Sequence, residues 1–283
     1  MAEFKVLNRV KGMPTSDGAG VRLNRVIGTP QLRNLDPFLM LDEFRSDQAD
    51  DYIAGFPPHP HRGFETITYM LHGAMKHEDH LGNVGMLTSG GVQWMTAGEG
   101  IIHSEMPMQE DGLLWGFQFW LNLPAEEKMK APFYQDLAPE EIPEVQDDNG
   151  VLRRVVAGTS KGTEGPIQRE ATQPLMVDFR IQQATELSHD LPEGHQGFIY
   201  VYEGSVEVPD AGLTLSRGEL LAFTGDELRL KSADQAGVLM VAGKPLKEPI
   251  VQYGPFVMNT AEEIQQAMVD YQNGVLAKVA EKV

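Results

Sequence analysis

The chain has 283 residues, 41% of them hydrophobic, with 12 Phe and no cysteine. That is ample material for a folded core, and it excludes disulfides, thiolate metal ligands and a cysteine nucleophile. A formal charge of −18 repels phosphate backbones, and without a Lys/Arg cluster to make a local exception, direct nucleic-acid binding is not expected.

No run approaches the ~20 apolar residues that a membrane span needs. The opening MAEFKVLNRVKGM has no apolar signal core, so a cytoplasmic location away from membranes is expected. The length favours two domains. The 29 Gly and 18 Pro fall between short apolar and β-branched runs, the pattern of an all-β sandwich or barrel. In chain order, strands are predicted at Glu65–His72, Val84–Thr88, Leu114–Leu121, Phe198–Tyr202 and Gly237–Val241. Leu81-Gly82-Asn83 and Pro209-Asp210-Ala211-Gly212 are turn chemistry. The acidic stretch DLAPEEIPEVQDDNG, 136–150, reads as a surface linker. It divides the chain into domains 1–135 and 151–283. Thr260-Ala-Glu-Glu263 has capping-box spacing, and Ile264, Met268, Tyr271 and Val275 follow at helical intervals. A closing helix over about 260–281 is predicted.

Two windows resemble each other. Gly91-Val-Gln-Trp-Met-Thr-Ala-Gly98 and Gly218-Glu-Leu-Leu-Ala-Phe-Thr-Gly225 share the spacing of their glycines, and each follows a strand ending in a glycine turn, at Gly73 and Gly204. This suggests two copies of one β unit.

Chemistry concentrates in the first copy. His59 and His61, in FPPHPHRGFETITYM, are i and i+2, so on an extended chain they face one side. Pro60 between them has no N–H and suits a sheet edge. His103 and Glu105 repeat the spacing after Gly98. Two strands side by side inside a barrel would bring these pairs to one ion, with three nitrogens and one oxygen around it. Counting the same distance past Gly225 gives Leu230 and Ser232, and only His195 stands before the second copy's first strand. The second copy reads as scaffold. His77, Glu78, Asp79 and His80 read as a solvated turn. Trp94, Phe117 and Trp120 read as core aromatics, with a pocket wall as the alternative. Glu65 reads as a partner orienting a ligand histidine, with a strand-edge carboxylate as the alternative.

HPHRGFETITYMLHG, HEDHLGNVG and GGVQWMTAGEGIIHSEMP resemble the signature stretches of the pirin family, within the cupin superfamily. The resemblance covers nearly the whole chain and implies an all-β fold of two cupin jelly-roll barrels with a closing helix, the first barrel carrying a metal. It implies His59, His61, His103 and Glu105 as ligands and leaves Glu65 outside the set. His72 stands where relatives often have an acid.

Imidazoles with one carboxylate suit a first-row divalent metal, iron(II) with O₂ chemistry foremost, while zinc, manganese, nickel or copper take the same donors. The resemblance implies a quercetin 2,3-dioxygenase opening a flavonol or other small aromatic substrate; Glu105, the one carboxylate in the proposed set, is then expected as the proton acceptor. Its alternative implication is an iron-dependent regulatory partner of transcription factors or metabolic enzymes. A sugar isomerase fits less well, because no Arg or Lys cluster marks the pocket. Pairing of two units within one chain predicts a monomer.

Overall fold

The computed structural model describes residues 3–109 and 111–277. The first half folds as β1 (Lys5–Lys11), β2 (Met13–Asp17), β3 (Val21–Ile27), β4 (Phe38–Ser46), β5 (Phe56–His61), β6 (Phe64–His72), β7 (Ala74–Asp79), β8 (Val84–Thr88), β9 (Val92–Thr96), β10 (Ile101–Pro107), β11 (Leu114–Asn122) and β12 (Phe133–Leu137). There follow β13 (Glu144–Gln146), β14 (Val151–Ala157), β15 (Thr159–Ser160), β16 (Thr163–Glu164), β17 (Leu175–Ile181), β18 (Thr185–Asp190), β19 (Gln196–Glu203) and β20 (Ser205–Val208). The chain closes with β21 (Leu213–Ser216), β22 (Glu219–Thr224), β23 (Glu227–Ser232), β24 (Ala236–Gly243), β25 (Val251–Tyr253), β26 (Phe256–Met258) and α1 (Ala261–Gln272).

Two compact units emerge, each built on two sheets. In one, the sheets run β12-β9-β6-β11-β4-β3-β2 and β5-β10-β7-β8; in the other, β1-β22-β19-β24-β17-β14-β13 and β18-β23-β20-β21. Strand for strand the order repeats, so the glycine windows do mark two copies of one β unit. Their turn glycines have positive φ, +92° at Gly73 and +67° at Gly204, a region that side chains other than glycine's resist. A Cβ there would also strike Gln109 at Gly73 and the Gln235 carbonyl at Gly204.

The units are not the contiguous halves expected from the acidic stretch. The unit that contains His59, His61 and His103 comprises Pro14–Arg25, Phe38–Pro139 and the chain from Leu246 onward; the other holds the residues up to Met13, Val26–Pro37 and Glu140–Pro245. The N-terminal strand joins the second unit, where it covers a sheet edge that needs a partner. β1 pairs with β22 (Arg9↔Leu221, Lys11↔Glu219), as β12 pairs with β9 in the first unit. Nor is 136–150 a free linker. β12 runs into it, β13 pairs with β14, and Glu144 meets the buried Arg154 at 2.6 Å.

The closing helix forms with its capping box complete, Thr260 and Glu263 each bonding the other's backbone N–H. It ends at Gln272 and does not continue through 273–277 as the apolar spacing implied. Gly274 is left-handed at φ +70°, and the N–H groups of Val275 and Leu276 both turn back to the Asp270 carbonyl, a glycine stop. Ile264 and Ala267 are its buried face, whereas Tyr271 and Val275 are exposed. The part of the predicted helix at 278–281 lies outside the described residues. No helix among the described residues is long and apolar enough to cross a membrane.

Candidate metal centre

β5 is an edge strand of its sheet, which accommodates Pro57, Pro58 and Pro60 with no ladder bond lost on the open side. Its inward pair His59 and His61 lies beside β10, where His103 sits opposite His59 and Ile101 opposite His61. The three imidazoles converge. Ring centroids are 4.7 Å apart for His59 and His61, 4.5 Å for His59 and His103, and 5.0 Å for His61 and His103. One ring nitrogen from each lies within 4.8 Å of the others.

The protonation chemistry suits ligation. Nδ1 of His59 lies 2.8 Å from the Pro57 carbonyl; a carbonyl only accepts, so Nδ1 donates and Nε2 is the nitrogen left for a ligand bond. His61 and His103 are 3% and 1% exposed, and neither nitrogen of either ring has a hydrogen-bond partner among the described residues. Burial holds His61 well below the usual histidine range, reinforced by His103 and His59, with the nearby Pro255 carbonyl pulling weakly the other way. His103 is lowered likewise, by burial first and then by His59 and His77, against an opposing pull from Asp79. Buried polar atoms are ordinarily satisfied. Neutral imidazoles with unclaimed lone pairs, turned toward one another, are the donor set of a divalent metal, so these residues fit the ion that the sequence implies.

Glu105 is also buried and faces inward on β10, but it does not join the three histidines within that 4.8 Å. β5 carries an extra residue opposite the step from His103 to Glu105, while β10 keeps its register with β7, and the carboxylate has partners of its own. Thr68 Oγ1 donates to one oxygen at 3.0 Å and Gln118 Nε2 to the other at 3.2 Å. Each oxygen retains a lone pair for a further donor or cation. Thr68 and Gln118 belong to a polar row across the sheet, Asp136, Gln93, Thr68, Gln118 and Asp42 standing side by side on successive strands. Arg25 closes the row, forking onto Asp42 at 2.9 and 2.7 Å.

Two sequence expectations change here. Glu65 is three residues from Thr68 on an unbulged stretch of β6, so it points to the opposite face of the sheet from Glu105. There it accepts from Trp94 Nε1 at 2.9 Å and Thr96 Oγ1 at 2.6 Å. It orients no ligand histidine from that face, and β6 is a central strand, so the edge alternative fails as well. His77 is not part of a solvated turn. It is 7% exposed on β7, opposite Glu105, touching Gln93 and Tyr134 and lying 3.4 Å from Asp136. Its parity with the buried Met75 was the available signal. Asp79 does serve the turn, capping the N–H groups of Leu81 and Asn83. Burial, then Asp79, raises the Tyr134 hydroxyl above its usual range.

The aromatics divide by face. Trp94 and Phe117 are fully buried with Glu65's side of the sheet. Trp120 shares the inward face with Gln118 and borders the site, its ring 5.4 Å from His61 and 4.4 Å from Phe64.

In the second unit the matching strands β18 and β23 place Leu187 opposite Leu230 and His189 opposite Leu228. The histidine on this strand pair is therefore His189, not His195. It is satisfied: Nδ1 donates to the Asp190 carbonyl at 2.6 Å, and Nε2 accepts from Ser160 Oγ at 2.7 Å. His195 is held by the Gln173 carbonyl at 2.9 Å. No cluster of metal-ligating side chains other than His59, His61 and His103 occurs among the described residues.

The pirin pattern matches residues 20–121, and the pirin C-terminal cupin domain matches residues 176–277. The chain belongs to the pirin family. A Pseudomonas aeruginosa protein, provisionally named a quercetin 2,3-dioxygenase, is 52% identical over 96% of this chain and 98% of its own length. Mouse pirin is 44% identical over 95% of this chain and 92% of its own. Among solved structures, a quercetin 2,3-dioxygenase from Acinetobacter baumannii superposes with a TM-score of 0.89 at 32% identity, covering 98% of this chain and 100% of that one. The two units are the two cupin domains of a pirin.

Proposed function

We propose that this pirin is a metal-dependent dioxygenase acting on a flavonol or a related small aromatic substrate, with His59, His61 and His103 holding iron(II). The observation that carries the reading is the set of three converging imidazoles, with no hydrogen bond at the ring nitrogens of the two buried members. The likeness to relatives named as quercetin dioxygenases supports the substrate class. Manganese, nickel, copper and zinc suit the same donors, and the supply of metal in the cell decides among them. Bound iron(II) would supply O₂ activation and acidify a substrate hydroxyl.

The protein's own residues do the rest. Glu105 completes the donor set and takes the hydroxyl proton. Thr68 and Gln118 hold its two oxygens, so the carboxylate is aimed before substrate arrives. Trp120 and Phe64 pack against His61 and keep water from that side of the site.

Anaerobic loading with Fe(II), followed by air and quercetin, tests the proposal through the loss of flavonol absorbance, with His61→Ala alongside. Loss that disappears in the variant supports it, and Glu105→Gln should keep metal yet lose turnover. Iron binding without flavonol loss would overturn the quercetinase reading and leave a dioxygenase of a different substrate or a non-catalytic, iron-dependent partner of other proteins.

A further inference from the structure

The residues that follow His61 point away from the site and into the end of the chain. Arg62 is 4% exposed. Its Nε donates to the Glu99 carbonyl at 2.5 Å, Nη1 to Asp270 Oδ2 on α1 at 2.6 Å, and Nη2 to the Leu276 carbonyl at 3.4 Å. Its backbone is gripped on both sides, the N–H donating to the Pro255 carbonyl at 3.4 Å and the C=O accepting from Val257 N–H at 3.1 Å. Next in line, the Gly63 carbonyl accepts from Lys128 Nζ at 2.7 Å, and the same ammonium donates to the Val257 carbonyl at 3.0 Å and to Asn122 Oδ1 at 2.6 Å. Gly63 has φ +89°, and a Cβ there would strike the Val257 carbonyl. Gly100, three residues before His103, packs against the Leu276 carbonyl just as closely.

Asp270 organises the far side of this clamp. Its second oxygen accepts from Gln266 Nε2 at 2.7 Å. Its backbone carbonyl takes the N–H groups of Val275 and Leu276 at 2.8 and 3.1 Å, fixing the turn that presents the Leu276 carbonyl to Arg62. The Arg62 guanidinium in turn holds the Asp270 carboxyl below the usual carboxylate range.

Metal-binding histidines are usually aimed by a hydrogen bond on the ring nitrogen that does not ligate. His103 has none among the described residues and His61 has only the nearby Pro255 carbonyl, itself in the C-terminal segment, so their aim rests largely on backbone placement and packing. The backbone beside His61 is the part tied to Pro255, Val257, Asp270 and Leu276. We infer that the C-terminal segment 255–276 is the positioning element of the metal centre, and that it holds His61 in place through the Arg62–Asp270 pair. This rests on the metal-centre reading above. It also gives a physical role to the Arg-Gly that follows the paired histidines, and to α1 as more than a closing cover.

The test is Co(II) titration of the full-length metal-free protein against a competing chelator, recording affinity and the visible absorption band, for wild type, His61→Ala, Asp270→Asn, Asp270→Glu and the exposed control Glu262→Gln. The expected results are binding by wild type, loss in His61→Ala, about tenfold weaker binding with a shifted band in Asp270→Asn, recovery toward wild type in Asp270→Glu, and no change in Glu262→Gln. Should Asp270→Asn not fold, Gln266→Ala takes its place, with weaker binding in the same direction expected. Wild-type affinity and an unchanged band in the folded Asp270→Asn variant, or in Gln266→Ala where that variant stands in, overturn the positioning role and leave the metal centre standing. Absence of Co(II) binding by wild type itself overturns both.

Discussion

The same row of four strands crosses both barrels, and the two rows have opposite chemistry. Thr68 and Ile199 each stand five residues before their turn glycines, Gly73 and Gly204. Around Thr68 the row reads Gln93, Thr68, Gln118, Asp42. Around Ile199 it reads Leu221, Ile199, Met240, Val177, all of them fully buried. Strand order and glycine turns are common to both, so the fold does not depend on what fills the barrel. Filling it with apolar side chains makes a core; filling it with polar ones makes a site, and burying those groups opposes folding unless each finds a partner. The histidines show the same divide, His189 satisfied by Ser160 and Asp190, His61 and His103 left open.

The largest effect expected from breaking this contrast comes from giving the first barrel the second's leucine. His103→Leu should lower metal affinity more than about a hundredfold, since one of the three proposed histidine ligands is gone. It should also raise the stability of the metal-free protein by about 1 kcal/mol in urea unfolding, because a buried imidazole without partners is removed. A marked loss of metal-free stability would show that His103 is a structural residue.

The next effect is in pH. Burial lowers His189 from 6.5 to about 4. Between those values the unfolded chain binds the proton and the folded chain does not, so stability rises with pH there. The contribution is complete above about pH 6.5 and is lost as pH falls toward 4, by roughly 3 kcal/mol in all. Unfolding free energies of wild type and His189→Leu should therefore converge on acidification, and a constant gap would contradict the assignment. At neutral pH the same variant should be about 2 kcal/mol less stable, because Ser160 and the Asp190 carbonyl lose their partner, while metal binding stays at the wild-type level. The smallest change expected is in Thr68→Val, which removes one hydrogen bond to Glu105. Flavonol turnover should fall about tenfold with metal affinity held within a factor of about three.

Much of this contrast was legible in the sequence. Period-two runs and glycine turns marked the central strands closely, and the paired histidines pointed to the converging site. The rest depended on contacts between distant residues. β1 is mostly exposed along its length and carries no apolar alternation, so nothing local says that it closes the second barrel. His189 lies in TELSHD, where one leucine is too little to announce a strand. His77 sits close to a polar hairpin tip, where its parity with Met75 is a weak signal beside the consecutive polar residues around it. Glu105 has the spacing of a ligand, but the bonds that its carboxylate accepts from Thr68 and Gln118, which lie 37 and 13 residues away, have no mark in the sequence.

The most direct measurement is the iron content of wild type, His103→Leu and His189→Leu after anaerobic Fe(II) loading and removal of excess metal. The account predicts one iron per chain in wild type and His189→Leu, and none in His103→Leu. Iron retained by His103→Leu, or lost from a folded His189→Leu, would contradict the assignment of metal to the first barrel alone.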